Sequence, residues 1–189
     1  MPDKLENHRF WSQQPVSEPA DKVKVEVNGP VNPDWDLTQT PKTPTTLPPG
    51  FDWCVIDVKD PKAMLELYEF LNDNYVEDSS SGFKLHYPAN VLYWALVQPG
   101  YIPETIIGVR QGNGPLLATI AATPDTFNIR GKTVNLVIVD FLCVHQSMRS
   151  KRMSPVLIKE VTRIVNLRGI PYAFHTGSID LPTCLSAPM

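Results

Sequence analysis

Residues 139–155 have the sequence VDFLCVHQSMRSKRMSP. The apolar run up to His145 is rich in β-branched and aromatic residues, which is typical of a buried strand. Three basic side chains follow within residues 149–152, and Ser154-Pro155 is a suitable beginning for a helix. The stretch therefore predicts a strand that continues through a basic turn into a helix.

The basic turn combines two features that bind anions. The first N–H groups of a helix have no partner within the helix, and the helix dipole adds partial positive charge there. Residues 146–189 carry six basic and two acidic side chains, although the whole chain has a net charge of -3. A pyrophosphate or phosphorylated cofactor is one candidate ligand, and a solvated surface turn is the alternative. The glycine spacing of phosphate-binding loops and dinucleotide fingerprints is missing, which excludes both motifs.

Periodicity predicts the elements around this stretch. Asp60-Pro61 is a good helix start, and apolar residues from Met64 to Tyr75 follow at helical spacing. Further helices are predicted at 90–97 and from Ser154 to just before Gly169. Strands are predicted at 105–110, 116–122, 126–129, 133–145 and 171–176, the first four in two hairpins. This order predicts an α/β (α+β) fold with a mixed sheet flanked by helices.

The N-terminal quarter differs in composition. Residues 1–50 hold nine of the 19 prolines, and proline disfavours regular helices and central strands. They are predicted to form an extended arm that is either disordered or laid along the globular part, residues 51–189. The aromatic residues Phe10-Trp11 and Trp35 favour docking.

Composition excludes several classes. Of 189 residues, 42% are apolar, which is enough for a core, and the net charge of -3 argues against nucleic-acid binding. The three cysteines and four histidines have no metal-ligand spacing, so no metal is expected. No stretch resembles a signal peptide or a transmembrane span. A cytoplasmic protein is therefore expected.

Several motifs together resemble the eukaryotic N-myristoyltransferase family. The signature-like segments are FLCVH at 141–145, RSKR at 149–152 and PVLIKE at 155–160. Three further similar segments occur in the family's order, namely HRFW at 8–11, LNDNYVED at 71–78 and YWAL at 93–96. The resemblance extends from about residue 8 to 182 and implies the acetyltransferase-superfamily (GNAT-like) fold.

The resemblance implies transfer of myristate from myristoyl-CoA to the N-terminal glycine of proteins, so the partners would be Gly-initiated proteins or peptides. It places an oxyanion hole at the backbone amides of Phe141 and Leu142. It assigns acyl-CoA contacts to residues of three segments: His8, Arg9, Phe10 and Trp11; Tyr75 and Val76; and Leu142, Cys143, Val144, Arg149, Ser150, Lys151, Arg152, Met153 and Ser154.

Two side chains in this stretch have simpler interpretations from the residues alone. Cys143 is expected to be a small buried hydrophobe rather than a nucleophile, because its strand is apolar. His145, at the end of the strand, is either a hydrogen-bonded structural histidine or a general base. Asp140 departs from the family, which usually has Asn there, and a carboxylate beside a developing oxyanion is unfavourable unless it is paired.

The resemblance also implies a second half that is not recognisable in this chain. In the family that half supplies most of the peptide groove and the carboxylate base, so the chain is expected to carry the acyl-CoA half. Its apolar interface would then be covered by a missing C-terminal lobe or by self-association. Two alternatives remain open. One is a non-catalytic, truncated acyl-CoA-binding form or partner of a full-length enzyme, and the other is a small acetyl-CoA-dependent acetyltransferase.

Overall fold

The computed structural model describes residues 36–75 and 86–176, of which 37–176 belong to one compact unit. The helices are α1 (Pro61–Asn74), α2 (Ala89–Leu96) and α3 (Met153–Leu167). The strands are β1 (Phe51–Val55), β2 (Ile106–Gln111), β3 (Leu116–Ile129), β4 (Lys132–Val144) and β5 (Tyr172–Phe174). Short 3₁₀ segments lie at Leu37–Gln39, Pro103–Thr105 and Gln146–Lys151.

The strands form one sheet in the order β1-β2-β3-β4-β5. The first four strands are antiparallel, and β5 pairs in parallel with β4 over Leu136–Ile138. A parallel return requires a crossover, which α3 provides. The predicted α/β fold class, with a mixed sheet flanked by helices, is confirmed.

Each face of the sheet has its own hydrophobic core. Helices α1 and α2 cover one face, where Leu67 and Leu92 meet Ala121 of β3. Helix α3 covers the other face, where Leu157 packs with Ile120 and Ala122. Neighbouring β3 residues thus serve opposite cores, because side chains alternate along a strand. We call the two sides the α1/α2 core and the α3 core.

The helices follow their sequence signals closely. The Asp60 side chain caps α1 by accepting a hydrogen bond from the Lys62 N–H (3.2 Å), and proline follows Asp60 as expected. Gly169 adopts a φ of +78° just after α3, which favours glycine. Helix α3 begins at Met153, one residue before the predicted start at Ser154.

One of the predicted strands needs correction. The separate strand expected at 126–129 is the second half of the long strand β3, which continues through Pro124. Strand β2 pairs with β3 only as far as Ala121, so among the strands of residues 36–75 and 86–176 one edge of β3 has no partner around Pro124. Proline lacks an N–H donor and is tolerated at such an unpaired edge.

Strand β1 was not anticipated. Its signal was the alternation of Phe51, Trp53 and Val55, too short to stand out beside the proline-rich segment. The preceding residues pack against the body: the Thr45 N–H donates to the Glu160 carboxylate (2.7 Å), and the Trp53 indole N–H donates to the Thr45 carbonyl (2.7 Å). We call residues 41–47 the strap.

Candidate functional site

The central feature of the site is a β-bulge in β4. Thr119 of β3 pairs with Cys143, whereas Ala121 pairs with Asp140, so β4 uses one more residue than β3 over this span. Phe141 has a φ of +54°, in the left-handed region that aromatic residues rarely adopt. Such a conformation costs about 1–3 kcal/mol and commonly marks functional sites, where a bulge re-aims the backbone.

Aromatic packing holds the bulge. The ring of Phe141 lies 5.8 Å from that of Tyr75 and 5.9 Å from that of Tyr87, centroid to centroid. Tyr75 directly follows α1, so the end of this helix fixes one side of the bulge.

Asp140 lies beside the bulge and is partly buried. Burial raises the pKa of its carboxyl group, and the charge of His175 offsets only part of this effect. Burial also raises the pKa of the Tyr75 hydroxyl, and the Asp140 carboxylate raises it further. The carboxyl group therefore acts directly on the electrostatics of the bulge.

The residues after Asp140 face alternate cores. Phe141 and Cys143 lie in the α1/α2 core, and Leu142 and Val144 pack in the α3 core. Burial raises the pKa of the Cys143 thiol to about 12. The thiol is therefore protonated at neutral pH, as expected for a buried small hydrophobe.

His145 has a structural contact on one ring nitrogen. Its Nδ1 accepts a hydrogen bond from the Ser147 N–H (3.3 Å) and lies 2.8 Å from the Ser147 hydroxyl. His145 thereby caps the 3₁₀ segment that follows β4. These contacts agree with the structural interpretation of this histidine.

The basic turn consists of the 3₁₀ segment Gln146–Lys151 and Arg152, which adopts a left-handed conformation (φ 54°, ψ 39°). Two buried methionines, Met148 and Met153, anchor it against the α3 core. Arg152 makes no side-chain capping bond to α3, so the first N–H groups of the helix are not capped by that residue. Ser150, Lys151 and Arg152 are exposed around this helix start.

Arg149 differs from its basic neighbours. Its Nε donates to the Val144 carbonyl (3.1 Å), and its Nη2 donates to the Asn74 carbonyl (2.8 Å). Its guanidinium thus contacts the last residue of β4 and the last residue of α1.

The structure brings most of the predicted site residues into one region. Tyr75, the bulge and the basic turn are adjacent through the contacts above. His8, Arg9, Phe10, Trp11 and Val76 lie outside the described residues. Sequence analysis missed Tyr87 and Asn74, whose roles depend on contacts with distant parts of the chain and leave no local signal.

Among residues 36–75 and 86–176, no cluster of three His, Cys, Asp or Glu side chains could hold a metal ion. No helix of this part of the chain is long and apolar enough to cross a bilayer.

Comparisons with known proteins agree on one family. Residues 30–187 match the family described as myristoyl-CoA:protein N-myristoyltransferase, N-terminal domain. The glycylpeptide N-tetradecanoyltransferase of Candida glabrata is 41% identical over 183 residues, covering 96% of this chain and 40% of that protein. The enzyme of the same name from Dictyostelium discoideum is 43% identical over 180 residues, covering 95% of this chain and 43% of that protein.

A solved structure extends the agreement to the fold. The crystal structure of Saccharomyces cerevisiae N-myristoyltransferase with bound myristoyl-CoA matches with a TM-score of 0.84 and 42% sequence identity. The match covers 93% of this chain and 40% of that one. The chain therefore spans about two fifths of the length of the relatives it matches. The match to the family's N-terminal domain over residues 30–187 shows that the chain belongs to the N-myristoyltransferase family.

Proposed function

We propose that this chain binds myristoyl-CoA and supplies the oxyanion hole for transfer of myristate to the N-terminal glycine of proteins. The observation that carries the proposal is the bulge at Phe141, with its left-handed backbone, followed within a few residues by the basic turn. Acyl transfer from a thioester needs hydrogen-bond donors at the carbonyl oxygen, where negative charge develops. The pyrophosphate of the same CoA molecule needs a separate anion site. The geometry of this strand, turn and helix is suited to both requirements.

The proposed oxyanion hole uses the backbone N–H groups of Phe141 and Leu142. The glycine amine attacks the thioester carbonyl carbon, the C–N bond forms, and negative charge develops on the carbonyl oxygen. Fixed N–H donors aimed at that oxygen stabilise the transition state more than the ground state. The C–S bond then breaks, the CoA thiolate leaves, and the amine gives up its proton. By resemblance, the base that receives this proton belongs to the second half of the family's enzymes.

The proposed phosphate site is the beginning of α3. The first N–H groups of α3, which the Arg152 side chain does not cap, and the exposed side chains of Ser150, Lys151 and Arg152 offer donors and positive charge. This set fits a pyrophosphate, which carries several acceptor oxygens. Leu142, Cys143 and Val144 would lie along the acyl and pantetheine path, and residues 8–11 would fold over the bound CoA.

Calorimetric titration with a non-hydrolysable myristoyl-CoA analogue tests the binding proposal. We expect a dissociation constant in the micromolar range or tighter, and no heat of binding at micromolar ligand would contradict it. Lys151→Met should weaken binding about threefold to tenfold and reduce its dependence on salt, because one charge near the phosphates is lost. Lys159→Met, also exposed but further along α3, is the matched control and should bind like the unaltered chain.

A second candidate function is acyl-CoA binding without transfer, alone or as the partner of a full-length enzyme. It requires only the two binding features described above, the bulge and the basic turn. Transfer of labelled myristate to a Gly-initiated peptide separates the two candidates. Turnover of acetyl-CoA in the same assay would support a small acetyltransferase instead.

A further inference from the structure

Arg149 lies where three parts of the site meet. Its guanidinium joins the last residue of β4, Val144, to the last residue of α1, Asn74, through two backbone carbonyls. These residues are 70 positions apart in the sequence, so this contact is purely tertiary. Arg149 itself belongs to the 3₁₀ segment of the basic turn.

The Asn74 carbonyl, at the end of α1, is one that requires such a donor. The last carbonyls of a helix have no partner within the helix and carry the negative end of its dipole. Asn74 is buried, and its side chain is already used in a hydrogen bond to the Phe70 carbonyl (2.9 Å). A guanidinium, with donors fixed in one plane, can satisfy both carbonyls at once, whereas a lysine ammonium is a point charge.

The residues beside these carbonyls build the bulge. Tyr75 follows Asn74 directly, and its ring packs against that of Phe141, with 5.8 Å between the ring centroids. Val144 lies three residues after Phe141 on the same strand. Any movement of α1 away from β4 would therefore separate Tyr75 from Phe141 and release the bulge.

We propose that Arg149 is a positioning residue, which holds the end of α1 against the end of β4 and thereby sets the geometry of the oxyanion hole. It acts on the thioester end of the ligand through Tyr75 and Phe141, rather than on the CoA phosphates. The inference about the ligand rests on the function proposed above, but the positioning itself is a property of the ligand-free chain.

Native-state hydrogen exchange of the ligand-free chain tests the positioning. Arg149→Lys keeps the charge but loses the two-carbonyl geometry. The hydrogen-bonded amides of Tyr75 and His145, which directly follow the two carbonyls, should therefore exchange about tenfold faster. Amides of the α3 core, such as that of Val161, should keep their rates, and circular dichroism should show an unchanged fold. Unchanged exchange at Tyr75 and His145 would overturn the proposal, as would an equal acceleration throughout the chain. Arg149→Gln is the second variant, and Lys151→Met is the control in the same turn.

Binding of two probes tests the consequence for the ligand. The probes are non-hydrolysable analogues of myristoyl-CoA and of S-myristoyl-pantetheine, which lacks the nucleotide and its phosphates. Arg149→Lys should weaken both by a similar factor, about tenfold, whereas Lys151→Met should weaken only the CoA analogue. A loss confined to the CoA analogue would assign Arg149 to the phosphates and overturn the proposal. If neither probe binds the unaltered chain, the proposed function fails, and the exchange experiment still decides the role of Arg149.

Discussion

At the scale of single residues, the charge of Asp140 is the main feature of the bulge. Asp140 places a partly buried carboxyl group where the backbone is proposed to meet a developing negative charge. Burial raises its pKa, so ionising Asp140 costs more free energy in the folded chain than in the unfolded chain. Since the folded chain binds this proton more tightly than the unfolded chain, stability falls as the pH rises through the raised pKa.

Asp140→Asn should therefore stabilise the chain at neutral pH. We expect a rise in Tm of about 2 °C at pH 7, because about 1 kcal/mol displaces the Tm of a domain of this size by about 2–4 °C. Below the ordinary carboxyl pKa of 3.8, where the carboxyl is protonated in both states, the gain should vanish. Thermal unfolding across this range measures the effect, with Asp52→Asn on exposed β1 as the control. A gain that persists below pH 3.8 would assign the effect to packing rather than charge.

At the scale of the elements, helix α3 makes different contacts with two of its faces. One face fills the α3 core, and a second carries Glu160 and Arg163, which hold the strap. The Arg163 guanidinium donates to Glu160 and to the carbonyls of Pro41 and Lys42. Burial opposes the ionisation of Glu160, but the hydrogen bonds from Arg163 and Thr45 outweigh it and lower the pKa of this carboxyl group.

Removal of the Glu160 carboxylate should release the strap. Glu160→Ala leaves a largely buried guanidinium without its partner, so we expect a loss of about 3 kcal/mol in the free energy of unfolding. Because the pKa of Glu160 is lowered in the folded state, its stabilisation is present above the ordinary value of 4.5 and is lost as the pH falls through the lowered pKa. Urea unfolding measures both effects, with Glu69→Ala on the exposed side of α1 as the control. An equal loss in the two variants would contradict the role of the strap.

The helices were more predictable than the strand details, for a physical reason. Helix α1 follows from Asp60-Pro61 and from apolar spacing, which are local signals. The left-handed Phe141 and the carbonyl contacts of Arg149 depend on residues brought together only by folding. The basic turn and the resemblance could therefore indicate a candidate site from sequence, whereas the geometry of that candidate site could not be predicted.

At the scale of the molecule, apolar side chains are exposed at the β5 end of the sheet. Tyr172 and Phe174 are 41% and 49% exposed on β5, which is an edge strand of the sheet as far as the described residues show. Edge strands with exposed apolar residues favour association with another chain or lobe. We therefore predict that this end of the sheet is a contact surface.

The chain alone should associate reversibly as its concentration rises. Sedimentation velocity between about 1 and 100 µM should show a mass average that increases with concentration, as for weak apolar contacts. Phe174→Ser should reduce the association constant about tenfold, because a half-exposed aromatic ring is lost from the surface. Leu65→Ser on α1, where Leu65 is 54% exposed, is the control. A single species at all concentrations would contradict the prediction.

The extra residue in β4 serves the proposed ligand site and not the packing of the core. Ala122 faces Val139 and Thr119 faces Cys143, so a strand without Asp140 would pair Ala121 with Phe141 and Ile120 with Leu142. Each of these pairs already shares a core, so a chain one residue shorter would keep every side chain on its present face. Packing therefore does not require the bulge. Deletion of Asp140 should leave a domain that still unfolds cooperatively but has lost acyl-CoA binding or transfer. Thermal unfolding tests the fold, and calorimetric titration of the same sample tests the binding.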